Sequence, residues 1–191
     1  MSQSVRTEIS ETELIVRAIE GDTAAFGTLY ERYLDAIYRY VYYSVTDHAE
    51  AEDLTENVFL KAWQALPRFR PQGANFRAWL YRIAHNTVVD RHRTCKQEAS
   101  FEEVPHLQDP APTPESVVEA EQEVLRLSAA LSRLKPRARQ VILHRFISGL
   151  SHAETAEALG VSEGHVRVLQ HRALKRMRRL LIEDGDENGQ V

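Results

Sequence analysis

The chain has 191 residues and a formal net charge of −4 at pH 7, with 43% hydrophobic and 27% charged residues. This composition is typical of a folded globular protein of one large or two small domains. The single cysteine, Cys95, excludes an internal disulfide and a cysteine-rich zinc site. Because the sequence has neither a signal peptide nor an apolar run of membrane-spanning length, we expect a cytoplasmic protein with no membrane insertion of its own.

The charge is distributed unevenly along the chain. Residues 68–96 carry seven Lys/Arg against Asp90 alone, and residues 135–180 carry ten Lys/Arg against three Glu. Between these two blocks, residues 97–123 carry eight Asp/Glu and no Lys or Arg. Two basic blocks flanking an acidic one predict two modules that face nucleic acid, joined by a segment that repels it.

Helical periodicity is the pattern found in the first part of the chain, and no segment shows the alternation of a strand. The pattern predicts four helices, with most aromatic residues in their core. The fourth follows a loop over residues 68–75 and is capped by Asn75 or a neighbour. The predicted helices are Thr12–Glu20, Thr23–Val45, Asp47–Leu66 and a last helix ending near Arg93.

The third of these helices has an unusual charge. Residues 47–66 carry five acidic side chains against Lys61. Such a surface would repel DNA but would suit a basic protein partner. The alternative is an acidic helix face that is merely solvated.

The acidic segment is the predicted boundary between domains. We take residues 96–116 as a flexible linker, because Pro110, Pro112 and Pro114 alternate with other residues and exclude a helix. The whole acidic stretch at 97–123, ~27 residues, would span up to about 90 Å when extended and roughly 30 Å as a relaxed coil. The predicted domains are therefore residues 10–95 and 117–182, followed by a disordered acidic tail at 183–191.

The second domain is predicted to consist of helices 117–134 and 137–147 and a helix-turn-helix. Ser151 and Glu154 form a capping box that begins the first helix of this motif. Gly160 supplies the turn, and Ser162 caps a second helix that continues to about Leu181.

The second helix of this motif is rich in basic residues on one face. A guanidinium can pair with two acceptors of guanine, and further cations can hold phosphates. The pattern therefore favours DNA binding over a solvated basic helix. The residues on this face are Arg167, Val168, His171, Arg172 and Lys175.

An enzyme is disfavoured by the sequence. The eight histidines form no metal-ligand spacing, and neither a glycine-rich phosphate loop nor a serine elbow is present. His144 and His152 are interpreted as surface residues. We assign no catalytic residue, and we expect neither a cofactor nor a metal.

Four motifs in order resemble the sigma-70 family of transcription initiation factors, in its extracytoplasmic-function group. This resemblance implies an all-α fold, with sigma region 2 in the first domain and sigma region 4 in the second. Thr155 departs from the family pattern, which usually has an aliphatic residue there. The motifs are Gly-Asp-Thr-Ala-Ala-Phe-Gly-Thr-Leu-Tyr (21–30), Ala-Glu-Asp-Leu-Thr-Glu-Asn-Val-Phe-Leu-Lys-Ala-Trp (51–63), Phe-Arg-Ala-Trp-Leu-Tyr-Arg-Ile-Ala-His-Asn (76–86) and the block 134–178.

The resemblance also implies three sets of site residues. The set implied to bind the clamp helices of the RNA polymerase β′ subunit is Glu52, Asp53, Glu56, Asn57 and Lys61. The set implied to open and read the −10 promoter element is Phe69, Arg77, Arg82, Ile83, Asn86 and Arg91. Within it, Phe69, Ile83 and Asn86 match a pocket for a flipped base, and Phe69 is expected to be less of a core residue than Phe76 or Trp79. The set implied to read the −35 element is His165, Arg167, Val168, His171, Arg172 and Lys175.

The partners implied by the resemblance are core RNA polymerase (β′ clamp helices and β flap), promoter DNA and an anti-sigma factor that sequesters the protein until a stress releases it. We expect the free chain to bind promoters weakly. A stand-alone helix-turn-helix regulator is the closest alternative. Such a regulator would need neither the acidic helix at 47–66 nor the block 69–93, and it usually carries a sensory or dimerising domain.

Overall fold

A computed structural model describes residues 9–71, 75–98 and 126–187 of the chain, and every regular element within these ranges is helical. The all-α fold is therefore confirmed. The helices are α1 (Glu11–Ile19), α2 (Thr23–Val45), α3 (His48–Ala65), a 3-10 turn (Leu66–Arg68), α4 (Phe76–Glu98), α5 (helical over 126–132), α6 (Pro136–Ile142), a π-helix (Leu143–Ile147), α7 (His152–Leu159) and α8 (Glu163–Glu187).

The helix starts follow from side chains that accept hydrogen bonds from the first free amides. The carboxylate of Asp22 accepts from two amides of α2 at 2.9 and 3.0 Å, and Asp47 accepts from the Glu50 amide at 2.7 Å. The side-chain oxygen of Asn75 accepts from the Ala78 amide at 3.2 Å. The predicted cap at Asn75 is thus confirmed.

Some helix ends differ from the prediction. The helix α4 continues to Glu98 rather than stopping near Arg93, and α8 continues to Glu187, into the tail predicted to be disordered. Once a helix has formed, each added residue gains a further backbone hydrogen bond, so polar sequence alone does not end it. The predicted linker beyond residue 98 and the chain end from residue 188 lie outside the described residues.

The N-terminal module (residues 9–71 and 75–98) packs α1 to α4 around an aromatic core. The side chains of Ile37, Tyr40 and Val41 on α2 are completely buried at its centre. Ring pairs join α2 to α3, with centroid distances of 4.8 Å for Phe26–Trp63 and 4.6 Å for Tyr30–Phe59. The predicted core role of the aromatic residues holds for these helices.

The C-terminal module (residues 126–187) contains the predicted helix-turn-helix. Ser151 and Glu154 form both hydrogen bonds of the capping box, and Gly160 has the left-handed φ of 62° that the turn requires. Ser162 accepts from the His165 amide at 3.3 Å to cap α8. A separate apolar cluster fills the angle between the helices, formed by Val141, Ala156 and Val166 with Leu159, Val161 and Leu169 around them.

Thr155 lies within α7, and its side chain is fully buried. Its hydroxyl oxygen has no hydrogen-bond partner, so folding removes this group from water without compensation. We expect Thr155→Val, which keeps the shape, to raise the free energy of unfolding by about 1 kcal/mol. Chemical denaturation of both proteins would measure the difference, and Thr28→Val on exposed α2 surface is the control. A loss of stability in Thr155→Val would show that the hydroxyl is satisfied.

The two modules pack directly against each other, which the sequence does not predict. The helix α4 contacts α7, and α2 contacts the π-helix. His144 lies in this contact and is completely buried, so its interpretation as a surface residue is wrong. No helix in the described ranges combines the length and apolar character needed to cross a membrane.

Candidate polymerase and promoter interfaces

The outer face of α3 is acidic and exposed. Glu52, Asp53, Glu56 and Asn57 all point to solvent, because the opposite face of the helix is held by buried Leu54 and its apolar neighbours. Four of the five residues predicted to bind polymerase are therefore accessible. The fifth, Lys61, is partly buried and donates to the hydroxyl of Thr87 on α4 at 3.2 Å, so its charge is directed toward α4.

An apolar groove of about 410 Å³ borders this acidic face. Leu60, which is 56% exposed, lies beside Glu56 in the groove. An exposed leucine next to half-buried aromatic rings is unusual for a surface without a partner. The lining residues are Thr23, Phe26, Tyr30, Glu56, Phe59, Leu60 and Trp63. The surface thus combines an apolar depression with an acidic rim, which is the arrangement of a protein-binding site.

Five of the six residues predicted to read the −10 element lie on α4, and they divide among three of its faces. Arg82 and Asn86 are exposed, and Ile83 is half-buried between them, so these three lie together on the outer face. Arg77 instead donates to the backbone carbonyl of Ser148 in the C-terminal module. Arg91 faces α3, where its guanidinium meets the carboxylate of Glu50 at 2.6 Å.

Phe69 is a core residue. Its side chain is 4% exposed, like Phe76 at 5%, and its ring lies 4.9 Å from that of Trp79. The expectation that Phe69 would be less buried than its neighbours is therefore wrong. Trp79, Ile83 and Asn86 follow one another at helical spacing along α4. The ring of Phe69 packs against Trp79, at the buried end of this row of residues.

All six residues predicted to read the −35 element are exposed on α8. Val168 is 47% exposed, whereas neighbouring Leu169 packs into the apolar cluster of the helix-turn-helix. Arg167 forms an ion pair with Glu163 at 2.6 Å within the helix. This hydrogen bond with Arg167 lowers the pKa of Glu163 below its ordinary value. Because an exposed ion pair of this kind is weak, Arg167 can leave Glu163 and contact a nucleic acid instead.

A second groove, of about 600 Å³, runs between the two modules. Its lining includes apolar Leu134, Val161 and Leu169 of the C-terminal module, together with the exposed basic side chains of Arg93 and Arg137. Burial lowers the pKa of His85, which also lines the groove. Sequence reasoning missed this groove, because each wall alone is an ordinary amphipathic helix face.

Two known families account for both modules. The family described as Sigma-70 region 2 matches residues 29–97, and the family described as Sigma-70, region 4 matches residues 130–179. Among curated proteins, the chain is 40% identical over 174 residues to the ECF RNA polymerase sigma factor BldN of Streptomyces coelicolor. The match covers 90% of this chain and 66% of BldN.

Solved structures give the same result. The chain is similar to CnrH, solved in complex with the cytosolic domain of CnrY, with a TM-score of 0.72 and 29% identity over 90% of this chain and 96% of CnrH. It is also similar to the sigma factor RpoE of Bartonella quintana, solved with the anti-sigma factor NepR, with a TM-score of 0.68 and 25% identity over 82% of this chain and 96% of RpoE. The chain is also 32% identical over 179 residues to the ECF RNA polymerase sigma factor SigD of Mycobacterium tuberculosis, a match that covers 91% of this chain and 84% of SigD. With both sigma regions present in order and this similarity over nearly the whole chain, the chain belongs to the ECF group of RNA polymerase sigma factors.

Proposed function

We propose that this ECF sigma factor binds core RNA polymerase through the outer face of α3 and the groove beside it. The observation that carries the proposal is the exposure of Glu52, Asp53, Glu56 and Asn57 next to exposed Leu60. Acidic rim residues steer a basic partner and fix its orientation, while burial of the apolar groove supplies affinity. The β′ clamp helices are the proposed partner of this surface, and the β flap is the proposed partner of the C-terminal module.

In this proposal, promoter DNA is read by two surfaces. The outer face of α4, with Arg82, Ile83 and Asn86, would hold a base flipped out of the −10 element, because an amide next to an apolar wall can accept both its edge and its ring face. Arg77 and Arg91 would move from their present carbonyl and carboxylate partners to phosphates. The exposed face of α8 would enter the major groove of the −35 element. Bond formation belongs to the polymerase, and the chain would act in the cytoplasm.

An anti-sigma factor is the proposed regulator. RpoE was solved with the anti-sigma factor NepR, and the groove between the modules of this chain is lined by both apolar and basic side chains. A helix with apolar and acidic faces is the complementary partner. Such a partner would hold both modules at once and keep them from polymerase.

Transcription in vitro tests the proposal most directly. The purified chain is mixed with core RNA polymerase and fragmented genomic DNA, and the transcripts are sequenced. We expect defined start sites that share upstream motifs and that are absent without the chain. No stimulation, together with no co-migration with core polymerase, would favour the stand-alone DNA-binding regulator.

Arg172 offers a test of the −35 surface. Its side chain is exposed on α8 and is predicted to face the major groove. We expect Arg172→Ala to weaken promoter-specific transcription roughly 5- to 150-fold, which corresponds to the loss of ~1–3 kcal/mol of a base or phosphate contact. Abortive transcription on a promoter found by the assay above would measure it. Arg126→Ala, which removes an exposed charge from α5, is the matched control, and equal losses in both variants would contradict the assignment.

A further inference from the structure

Val168 is an apolar side chain on a face of α8 that is otherwise polar. It is 47% exposed, and it belongs to neither of the two apolar clusters formed by the described residues. The next residue, Leu169, turns inward and packs into the cluster of the helix-turn-helix. His171, Arg172 and Lys175 are exposed on the same face as Val168. A β-branched residue is also a weaker helix former than lysine or glutamate, so folding gives no reason for a valine at this position.

Open space lies beside Val168, toward the start of α8. Side chains of an α-helix lean toward its amino terminus, so the Val168 methyl groups lie over the turn that contains Gly164. Gly164 contributes no side chain there, and a Cβ atom built on it would meet no atom within 4 Å. Its φ is not positive, so the backbone does not require a glycine, which weakens a helix. The space beside Val168 is large enough for one further methyl group.

The neighbouring cations leave this space uncovered. Successive residues of an α-helix point about 100° apart, so Arg167 lies on a different edge of α8 from Val168. Its guanidinium is held there at 2.6 Å by the carboxylate of Glu163, one turn earlier. Arg172, one turn after Val168, is exposed as well. The result is a small apolar area with a cation on either side of it.

The chemistry of the major groove of DNA identifies the partner of such an area. The base edges there present hydrogen-bond donors and acceptors and a single apolar group, the C5-methyl of thymine. Phosphates and sugars offer nothing that an isopropyl group would select. A protein partner would need a larger apolar patch, because one exposed apolar residue is ordinary on a protein surface. A thymine methyl group is therefore the ligand that Val168 fits.

We propose that Val168 is a specificity-determining residue, which selects the methyl group of one thymine in the −35 element. The inference rests on the proposed function, because it takes α8 as the helix that enters the major groove. Arg167 and Arg172 would bind phosphates or a guanine on either side of that thymine. The apolar contact is then the part of the surface that requires a thymine, and it requires the methyl group of the base rather than its hydrogen-bonding edge.

Replacement of thymine by deoxyuridine tests the contact, because it removes the methyl group and keeps the base pair. A promoter found by the transcription assay is prepared with each thymine of its −35 element, on either strand, replaced one at a time. Transcription by the full chain with core polymerase is measured on every template. The variant is Val168→Ser, which removes both methyl groups at a similar helix propensity. Leu181→Ser is the matched control, since Leu181 is 40% exposed and lies ~20 Å further along α8.

We expect the wild type to lose about fourfold in transcription at one deoxyuridine, which is the effect of withdrawing one methyl group from an apolar contact. Val168→Ser should transcribe the natural promoter about fourfold less well than the wild type, with no further loss at that deoxyuridine. Leu181→Ser should keep the full ratio between thymine and deoxyuridine, whatever its overall activity. Such non-additivity between a side chain and a methyl group identifies a direct contact.

The inference and the proposed function fail in different ways. Equal transcription by the wild type on the natural and on every substituted template would overturn the inference, and so would equal losses in the wild type and Val168→Ser. Absence of transcription on any natural template would overturn the proposed function instead. The same comparison would then be made by gel shift, on DNA selected by the full chain alone, where the same ratios would support the contact of Val168 and equal binding would overturn it.

Discussion

Reversing two charges on the outer face of α3 is expected to weaken binding to core RNA polymerase by about 100-fold or more. Asp53 and Glu56 are both exposed on this face, and Glu56 lines the groove that contains Leu60. Asp53→Lys with Glu56→Lys changes the local charge by four and places like charges against a basic partner, which costs several kcal/mol at close range. The fold should survive, because neither side chain packs in the core. Binding is measured by fluorescence anisotropy at fixed ionic strength, with each variant competing against the labelled wild-type chain for core polymerase.

The matched control places the same change of charge elsewhere on the N-terminal module. Glu20, at the end of α1, and Glu31, on α2, are exposed, and neither lines the groove. Glu20→Lys with Glu31→Lys should lower the affinity only a few-fold, through the long-range field that salt screens. Equal losses in the two double variants would mean that α3 contributes only bulk charge. An undiminished affinity in Asp53→Lys with Glu56→Lys would place the polymerase surface on another helix.

The features that were predictable from the sequence are those that depend on neighbouring residues in the chain. The capping residues Asn75, Ser151 and Ser162 bond amides three positions away, so their patterns can be read directly. The same holds for the exposure of Arg172 and its neighbours on α8, since a charged helix face opposite an apolar stripe remains outside. The DNA-reading surface of the C-terminal module follows from this periodicity.

The contact between the modules was not predictable in this way. Periodicity shows that a helix face is buried but does not identify what covers it. The π-helix at Leu143–Ile147 adds a residue to one turn, which rotates the following side chains relative to an α-helical register. His144 was interpreted as a surface residue because the histidines show no metal-ligand spacing, and it lies instead against Tyr40 of the other module. The different positions of Arg77 and Arg82 were also not predictable from periodicity. Only the packing of the two modules places the Ser148 carbonyl beside Arg77.

Acidification is expected to destabilise the protein through His144. Burial lowers the pKa of this imidazole from an ordinary 6.5 to about 3, and the nearby His85 acts in the same direction. Neither ring nitrogen of His144 has a hydrogen-bond partner. The imidazole is therefore neutral when the chain is folded with its two modules in contact. Below pH 6.5, His144 takes up a proton when the chain is unfolded or its modules have separated, but not while the modules are in contact. Stability therefore falls as the pH drops from about 6.5 toward 3, by about 2 kcal/mol between pH 7 and pH 5 from His144 alone.

His144→Phe separates this effect from the titration of other groups. The phenyl ring can keep the stacking on Tyr40 and cannot be protonated, so the loss of stability between pH 7 and pH 5 should shrink by about 2 kcal/mol in denaturant titrations. Because His144 lies between the modules, the radius of gyration at pH 5 shows which equilibrium the proton drives. Expansion before loss of helical signal would mean that protonation opens the contact between folded modules. Simultaneous changes would mean that the C-terminal module needs its neighbour to fold, and an unchanged pH profile in His144→Phe would show that the imidazole is not held neutral.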